Sequence, residues 1–436
     1  MNNSLDDIVI LSSSPDFKQR ISQLRKSLLE ATYFVPGDDR HKQLLEIINA
    51  VKVRGNAAVI EYTEKFDGVR LTAEELLISA QQLKRAHDTI DPKLLKSLRG
   101  AINNVRKYQR EIFIGTDKKC SGNTGVKYTP VSRAGLCIPG AAAPLPSTVI
   151  MTAVPAQVAG VKELVVVSPP RCNDSIDPVI LATCYELGIS EVYRIGGAQA
   201  VAALTFGTET IRPVDKIVGP GSNWVQMAKK EVFGLVGIDS IAGPSEVLII
   251  ANEKANPAWI AADMLSQAEH APGSALLFTD SEKLANDTLA QLQSQVSELD
   301  RSEQTIECLT EFGAIVVFES IDEAIKQANF FASEHLQIQC GDRSKKIAEK
   351  IQNAGAIFIG DYTPVATGDY WAGPSHTLPT GTSARFFSAL SANDFVKSSS
   401  LIEYDKKKLA KSAEDIIRLA EIEGLDAHAK SVRIRR

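Results

Sequence analysis

The chain has 436 residues, 44% of them hydrophobic, which is enough to bury a large core in two or more domains and excludes a small disulfide scaffold. Its net charge of -5, from 48 basic and 53 acidic residues without a long block of one sign, does not favour a nucleic-acid binder. No apolar run approaches the roughly 20 residues that cross a bilayer, and the N-terminus lacks a signal-peptide pattern. We therefore expect no nucleic-acid or membrane partner, and a cytoplasmic protein or one carried into an organelle by a segment absent here.

Helices are predicted over much of the first hundred or so residues, because residues 41–68 and 91–112 space their apolar side chains three and four apart. From about residue 135, short β-branched runs alternate with helical segments. The runs ELVVVSPP, SEVYRIGG and VDKIVGPG are predicted strands of a parallel sheet covered by helices on both faces.

A second α/β series follows, with the predicted strands VLIIANE, SALLFTD, GAIVVFES, LQIQC and AIFIGDY. The predicted helices between them lie around residues 257–270, 282–298, 321–332 and 344–353. After about residue 390 the pattern is helical again, with Gly424 as a C-cap. The fold class is therefore α/β with two modules, and the boundaries are expected near residues 136, 244 and 390.

Two glycine-rich turns, Gly196-Gly197 and Gly219-Pro-Gly221, each follow a predicted strand and precede a predicted helix. Neither matches the dinucleotide fingerprint G-x-G-x-x-G. Backbone N–H groups at a helix N-terminus attract phosphate, so a nucleotide site is one interpretation. A tight turn that needs positive φ explains each turn equally well when it is taken alone. Two such turns in one module favour a cofactor modestly.

The segment DMLSQAEH ends a predicted helix with Gln267 and His270. Residues three apart share one helical face, where both side chains could reach one metal ion. The spacing alone is a weak signal, because glutamine is an uncommon ligand.

Glu334 and His335 stand where a predicted helix ends and leads into a strand, and we expect catalytic groups at such a position in an α/β domain. A carboxyl group beside an imidazole suits proton transfer near neutral pH. An ordinary capping pair is the alternative, and spacing alone favours it.

The stretch from Gly368 to Phe395 is too rich in glycine and proline for regular structure, yet it carries Asp369 and His376. Long ordered loops on a rigid scaffold are frequently functional. The last predicted helix ends with carboxylates and an imidazole, including Glu423 and His428, and a solvated terminal helix is the alternative interpretation there.

Eight segments resemble, in chain order, the histidinol dehydrogenase family from about residue 130 to the C-terminus: RAGLCIPG, RIGGAQAVAALTFGTE, VDKIVGPG, AGPSEV, DMLSQAEH, SEHL, GDYWAGPSHTLPTGTSARF and EGLDAH. LSQAEH, SEHL and AGPSEV are highly specific to that family. The resemblance implies an enzyme that uses zinc and NAD to oxidise L-histidinol by four electrons, through L-histidinaldehyde, to L-histidine in the last steps of histidine biosynthesis.

The resemblance also implies residue roles, with Glu334 and His335 as the acid–base residues. The implied ligands of one zinc ion per subunit are Gln267, His270, Asp369 and His428. The implied contacts to L-histidinol are Ser245, Gln267, His270, His335, Asp369, Glu423 and His428. The positions implied to contact NAD are Cys137, where many relatives have Tyr, Gln199, and Ser222, where Asn is usual.

The family architecture implied for this chain is an intertwined homodimer with two incomplete Rossmann-like modules per subunit. Glu423 and His428 would then reach the active site of the partner subunit. The expected organisation is an N-terminal tail segment 1–30, a zinc and acid–base module 31–136 with 245–390, an NAD-binding module 137–244 and a helical C-terminal tail 391–436.

Two rival functions remain at this level. A paralogue that oxidises another small polar alcohol, such as a sulfonated diol, would share the scaffold, but Glu423 could meet the ammonium group of histidinol and favours that substrate. A non-catalytic nucleotide-binding dimer is disfavoured because every implied zinc ligand, together with Glu334 and His335, is present.

Overall fold

A computed structural model describes residues 5–32, 37–119, 123–140, 143–270 and 273–436 of the chain. Helices and mainly parallel sheets make it a mixed α/β protein, as predicted. Across the described ranges, none of the helices combines the length and apolarity that a membrane span requires.

The chain divides into two compact units. The first unit contains Met1–Phe113 and Val131–Phe395, and the second contains Ile114–Pro130 and Val396–Arg436. The first unit therefore holds both predicted α/β modules.

The strands and helices are numbered in chain order. The strands are β1 (Val9–Leu11), β2 (Lys118–Lys119), β3 (Thr124–Pro130), β4 (Arg133–Cys137), β5 (Glu163–Val167), β6 (Glu191–Tyr193), β7 (Lys216–Val218), β8 (Gly237–Ile238), β9 (Ser245–Ala251), β10 (Gly273–Thr279), β11 (Gly313–Val317), β12 (His335–Gln339), β13 (Ala356–Ile359) and β14 (Val396–Ile402). The helices are α1 (Phe17–Thr32), α2 (Asp39–Arg54), α3 (Asn56–Asp67), α4 (Ala80–Thr89), α5 (Pro92–Ile112), α6 (Pro146–Ala159), α7 (Pro178–Glu186), α8 (Gly197–Phe206), α9 (Asn223–Val232), α10 (Pro257–Ala268), α11 (Glu282–Val296), α12 (Ser302–Phe312), α13 (Ile321–Phe331), α14 (Ser344–Ala348), α15 (Val365–Tyr370), α16 (Lys406–Ile422) and α17 (Asp426–Arg433).

One sheet of the first unit has six parallel strands in the order β1-β11-β10-β9-β12-β13. Strands β10 and β12 are buried along their whole length, because helices cover both faces of the sheet. Leu248, Ile249 and Ile250 of the central strand β9 are completely buried in its core. The uninterrupted aliphatic run that predicted this strand is thus the physical reason for its central position.

The other sheet of the first unit has five parallel strands in the order β6-β5-β4-β7-β8. Leu44 and Val51 of α2 and Val59 of α3 belong to its core. Helices α2 and α3 therefore pack on the five-stranded sheet, whereas the sequence interpretation grouped residues 31–136 with the six-stranded one. Strand β4 also spans the expected boundary at residue 136.

The second unit contains the antiparallel sheet β14-β3-β2 and the helices α16 and α17. Asp405 caps α16 by accepting the N–H of Lys408, and Gly424 follows the helix with a φ of 71°. The segment predicted as a helical tail thus contains a strand, β14, before its helices. That strand forms by pairing with β3, and such a distant partner leaves no periodic signal in the local sequence.

Candidate active site

Two neighbouring strands of the six-stranded sheet, β9 and β12, begin with polar residues at the same edge. β9 starts at Ser245 and β12 at His335, and His335 lies opposite Val247 in the register of the pair. Because the strands are parallel, their starts meet at the amino edge of the sheet. Glu246 is thereby brought beside Glu334 and His335 from a distant part of the sequence.

The imidazole of His335 is buried and held in one orientation. Its Nδ1 lies 2.9 Å from the carbonyl oxygen of Glu246. A carbonyl oxygen only accepts hydrogen bonds, so Nδ1 carries the proton and Nε2 is the free acceptor of the neutral ring. Among the residues that the structure describes, Nε2 has no hydrogen-bond partner, and it lies 3.8 Å from Oδ1 of Asp369.

Charges around this imidazole shift the pKa of His335. Burial lowers the pKa of His335, but the carboxylates of Glu334, 3.5 Å from Nδ1, and of Asp369 raise it to about 9. Burial raises the pKa of Glu334, while His335 and a hydrogen bond from the Ser245 hydroxyl oppose that shift. Adjacent groups with displaced pKa values are typical of proton transfer during a reaction.

Glu334 and His335 stand at the start of a strand, as predicted. The prediction relied on the rule that ligands of open α/β sheets bind at the carboxyl ends of the strands, and the pair lies at the amino ends. Ligands of open α/β sheets commonly bind outside the carboxyl ends of the strands. Here the segment leads into β12, so the pair stands at the amino edge. The end of α10 and helix α15 supply the other polar side chains of this region.

Gln267 is buried in the last turn of α10, whereas His270 is exposed and follows the helix, which ends at Ala268. His270, predicted to lie at the end of the helix, therefore lies in the turn that follows it. The sequence continues with Ala271-Pro272, and the residue before a proline disfavours helical backbone. The N–H of His270 still donates to the carbonyl oxygen of Gln267 at 3.3 Å, so a turn keeps the two residues adjacent.

Asp369 lies in α15, inside the stretch predicted to lack regular structure. Partial burial and the charges of Asp369 and Glu269 raise the pKa of the neighbouring Tyr370. His376 is near the same carboxylate, and burial lowers its pKa. Within the described part of the chain its Nε2 has no hydrogen-bond partner.

A second site region lies at the carboxyl edge of the five-stranded sheet. A cavity of about 370 Å³ opens there, and its lining includes Cys137 at the end of β4, Gln199 in α8, and Ser222 before α9. Both glycine-rich turns also line it. The three residues implied to contact NAD are therefore brought together at one cavity.

The two glycine-rich turns also have local backbone requirements. Gly197 has a φ of 64° and Gly219 a φ of 113°, conformations that disfavour other residues. A Cβ on Gly219 would lie 2.3 Å from the carbonyl oxygen of Cys137. Turn geometry explains these glycines, and the cavity beside them is the independent observation that indicates a ligand.

Gln199 is 1% exposed, and its Oε1 has no hydrogen-bond partner among the described residues. A buried polar atom without a partner is costly, so a ligand in the cavity would satisfy it. Burial raises the pKa of the Cys137 thiol to about 12, which keeps that side chain neutral at the cavity wall.

Comparison with known proteins identifies the family. A family model described as histidinol dehydrogenase matches residues 37–436. The chain is 48% identical over 393 residues to the histidinol dehydrogenase of Rhodopirellula baltica. The aligned region covers 89% of this chain and 85% of that protein. The chain belongs to the histidinol dehydrogenase family.

Other comparisons agree with this membership. A histidinol dehydrogenase of Synechococcus sp. is 47% identical over 403 residues, covering 91% of this chain and 92% of the relative. The crystal structure of histidinol dehydrogenase from Elizabethkingia anophelis has a TM-score of 0.89 and 34% identity, covering 98% of this chain and 97% of the other. Histidinol dehydrogenases are oxidoreductases, and histidinol dehydrogenase function in histidine biosynthesis is what the comparisons support for this chain.

The residues implied as zinc ligands of a histidinol dehydrogenase fall in both units. Gln267, His270 and Asp369 belong to the first unit, and His428 belongs to the second, where it is exposed, as is Glu423. Within the described ranges, no three His, Cys, Asp or Glu side chains are grouped so that they could hold a metal ion. An amide oxygen, an imidazole and a carboxylate still suit zinc chemically, but they leave a fourth position open.

Two features of these site regions were missed in the sequence. One is Glu246, a buried carboxylate that directly precedes the predicted strand VLIIANE. The other is the buried Lys229, whose Nζ lies 2.5 Å from Oδ1 of Asp239, while Oδ2 of Asp239 accepts the N–H of Gly219 at 2.7 Å. A charged residue at the start of an aliphatic run could have indicated Glu246. The ion pair of Lys229 with Asp239 forms only in the folded chain, so the sequence did not indicate it.

Proposed function

We propose that this member of the histidinol dehydrogenase family is a zinc- and NAD-dependent homodimer that oxidises L-histidinol to L-histidine in two steps. The buried pair of Glu334 and His335, with Nε2 of His335 facing Asp369, is the observation that carries the proposal. In the first step the alcohol loses a hydride and a proton to give L-histidinaldehyde. In the second step water adds to the aldehyde, and the hydrate loses another hydride and proton to give the carboxylic acid, which ionises to the carboxylate of L-histidine.

NAD is proposed to bind at the carboxyl edge of the five-stranded sheet, a Rossmann-like arrangement. The cavity volume, the two helix N-termini beside it and the unsatisfied Oε1 of Gln199 support this placement. Cys137 and Ser222 would contact the same cofactor. Residues 137–244 are thus assigned to NAD binding, and residues 245–390 to zinc and acid–base chemistry.

Gln267, His270 and Asp369 would hold zinc, with His428 of the partner subunit as the fourth ligand. The three residues offer an amide oxygen, an imidazole and a carboxylate, and a fourth donor would complete the tetrahedral set that zinc prefers. When bound, zinc would orient the imidazole and amino groups of L-histidinol and offset the charge of Asp369, and two NAD molecules, bound in succession, would each accept one hydride. Ser245, His335 and the partner subunit's Glu423 are the further proposed substrate contacts.

His335 is proposed to accept the alcohol proton in the first step and the hydrate proton in the second. In the neutral form of the ring, which a pKa of about 9 makes the minor form near pH 7, Nδ1 keeps its proton and Nε2 acts as the base. Glu334 is proposed to accept a proton from the water that adds to the aldehyde. Burial of both groups excludes bulk water and limits escape of the reactive aldehyde.

The test is the amount of NADH formed at completion from L-histidinol with zinc-loaded protein and excess NAD. The proposal requires two NADH for each L-histidinol and L-histidine as the product. Removal of zinc with a chelator should abolish turnover, and zinc addition should restore it. A zinc-loaded dimer that leaves L-histidinol unchanged would contradict the proposal.

A further inference from the structure

Glu246 is a buried carboxylate that the proposed chemistry does not use. It is the second residue of β9 and is 7% exposed. Its Oε1 accepts the N–H of Gly381 at 2.8 Å, and its Oε2 accepts the N–H of Glu334 at 3.3 Å. Each oxygen therefore fixes the backbone of a different segment, one at the start of β12 and one in the loop after α15.

The backbone of Glu246 contacts both members of the acid–base pair, Glu334 and His335. Its N–H donates to Oε2 of Glu334 at 2.9 Å, and its carbonyl oxygen accepts from Nδ1 of His335 at 2.9 Å. Glu246 and Glu334 thus exchange side-chain-to-backbone hydrogen bonds across the two strands. This arrangement fixes the rotation of the Glu334 carboxyl group and the tautomer of His335.

The position of Glu246 is electrostatically unfavourable. Burial raises its pKa to about 7, the N–H of Gly381 opposes that shift, and the charge of Glu334 adds to it. The other charged groups at this position are His335 and Arg25, which lines a small space beside Glu246. Two buried acids side by side repel, and a neutral residue would avoid that cost.

From these contacts we propose that Glu246 is a positioning residue for the acid–base pair, holding Glu334 and His335 in place and joining them to the loop at Gly381. The inference rests on the proposed function, because it deepens the role of that pair. An acceptor-only side chain is needed there, since both of its oxygens face N–H donors. Glutamine would turn an NH₂ group toward one of these donors and release one of the two segments.

The experiment compares Glu246→Gln and Glu246→Asp with the wild-type enzyme, each zinc-loaded. We expect kcat with L-histidinol to fall about tenfold or more, the cost of one unsatisfied buried N–H, with the KM for NAD and the zinc content unchanged. Displacement of Glu334 should slow the addition of water to the aldehyde, because Glu334 is the proposed base for that step. NADH per L-histidinol should therefore fall below two as aldehyde escapes, and a general loss of stability would not cause that change.

Asp215→Asn is the matched control, because Oδ2 of Asp215 also accepts two backbone N–H groups, from Ser132 and Arg133, at a different sheet. It should keep the wild-type kcat and stoichiometry. Wild-type values in both Glu246 variants, or an equal loss in Asp215→Asn, would overturn the positioning role. If Glu246→Gln does not fold, Glu246→Asp decides, because it keeps the charge and withdraws the carboxylate. Failure of the proposed function itself would be visible separately, as absence of NADH formation by the wild-type enzyme.

Discussion

The two site regions of the first unit use opposite edges of their sheets. The cavity of the five-stranded sheet lies at the carboxyl edge, where glycine-rich turns and helix N-termini follow the strands. Glu334 and His335 lie at the amino edge of the six-stranded sheet, where the strands begin. The first location follows the rule for open α/β sheets, and the second does not.

The difference indicates that the two regions provide different physical environments, each suited to a different ligand or reaction. A carboxyl edge presents backbone N–H groups to an extended anionic ligand, which suits a dinucleotide. The amino edge of β9 and β12 instead gathers the carboxyl groups of Glu334 and Asp369 and the backbone carbonyl oxygen of Glu246 around one buried imidazole. If this division is correct, changes at the amino edge should alter kcat, and changes at the carboxyl edge should alter the KM for NAD.

His335→Asn should have the largest effect. Loss of the base should lower kcat about a thousandfold in both oxidations, within the usual range for general-base catalysis. The KM for NAD should stay within error, because the cavity belongs to the other sheet. His87→Asn, at a histidine that pairs with Glu186 on α7, is the control and should leave both constants unchanged. A raised KM for NAD with normal kcat would remove the proposed distinction between the edges.

Arg133→Met tests the amino edge of the five-stranded sheet, which is occupied by ion pairs. The buried Arg133 bonds Glu163 at 2.9 Å and Glu191 at 2.6 Å, and its loss should lower the free energy of unfolding by about 3 kcal/mol while kcat is retained. The hydrogen bond from Arg133 lowers the pKa of Glu191 below its ordinary value. This stabilisation is therefore present above the unfolded-state pKa and is lost as the pH falls through the lower folded-state pKa.

Urea unfolding of Arg133→Met and wild type at neutral and acidic pH measures this effect, and the difference between them should shrink in acid. Arg212→Met is the control, because the Arg212 side chain is 64% exposed and should contribute less than about 1 kcal/mol. A large loss of kcat in Arg133→Met would contradict a purely structural role for this edge.

Glu334→Gln separates the two oxidations at the six-stranded sheet. The second oxidation should slow about a hundredfold because it needs a base for water, and the first should slow much less. Single-turnover rates from L-histidinol and from L-histidinaldehyde measure the two losses. Equal losses in the two oxidations would contradict the assignment of water activation to Glu334 and of proton acceptance from the substrate to His335.

Gln199→Ala should have the smallest effect and should act at the carboxyl edge. Removing one hydrogen bond to the cofactor should raise the KM for NAD about tenfold, equivalent to about 1.4 kcal/mol, with kcat nearly unchanged. Gln295→Ala, which removes a bond to the Ala258 carbonyl group on another helix, is the matched control. An unchanged KM for NAD in Gln199→Ala would argue against cofactor binding in this cavity.

Local patterns predicted the α/β class and most strands of the two parallel sheets. The continuous aliphatic runs in β9 and β10 had to be buried, whatever their partners. The strand β14 was not predicted, because exposed residues such as Ser398 and Ser399 carry no hydrophobic alternation. The packing of α2 and α3 on the five-stranded sheet was not predictable either, since their apolar faces fit any sheet.

For the candidate site, residue type and motif indicated Glu334, His335 and the two glycine-rich turns. The sequence did not indicate which groups surround His335. Asp369 approaches Nε2 because α15 returns to the amino edge, and Glu246 fixes Nδ1 because β9 and β12 are paired in one register. One residue of register slip would turn these side chains to the other face of the sheet.

The sequence by itself determined the elements, the family to which the chain is similar and the identities of the polar residues, because propensity, periodicity and motif are local properties. Tertiary structure alone decided which of those residues meet. The order of the strands places the cavity at one edge and the acid–base pair at the opposite edge of a different sheet. Burial then sets the proton affinities of Glu246, Glu334 and His335, because desolvation and neighbouring charge exist only in the folded chain.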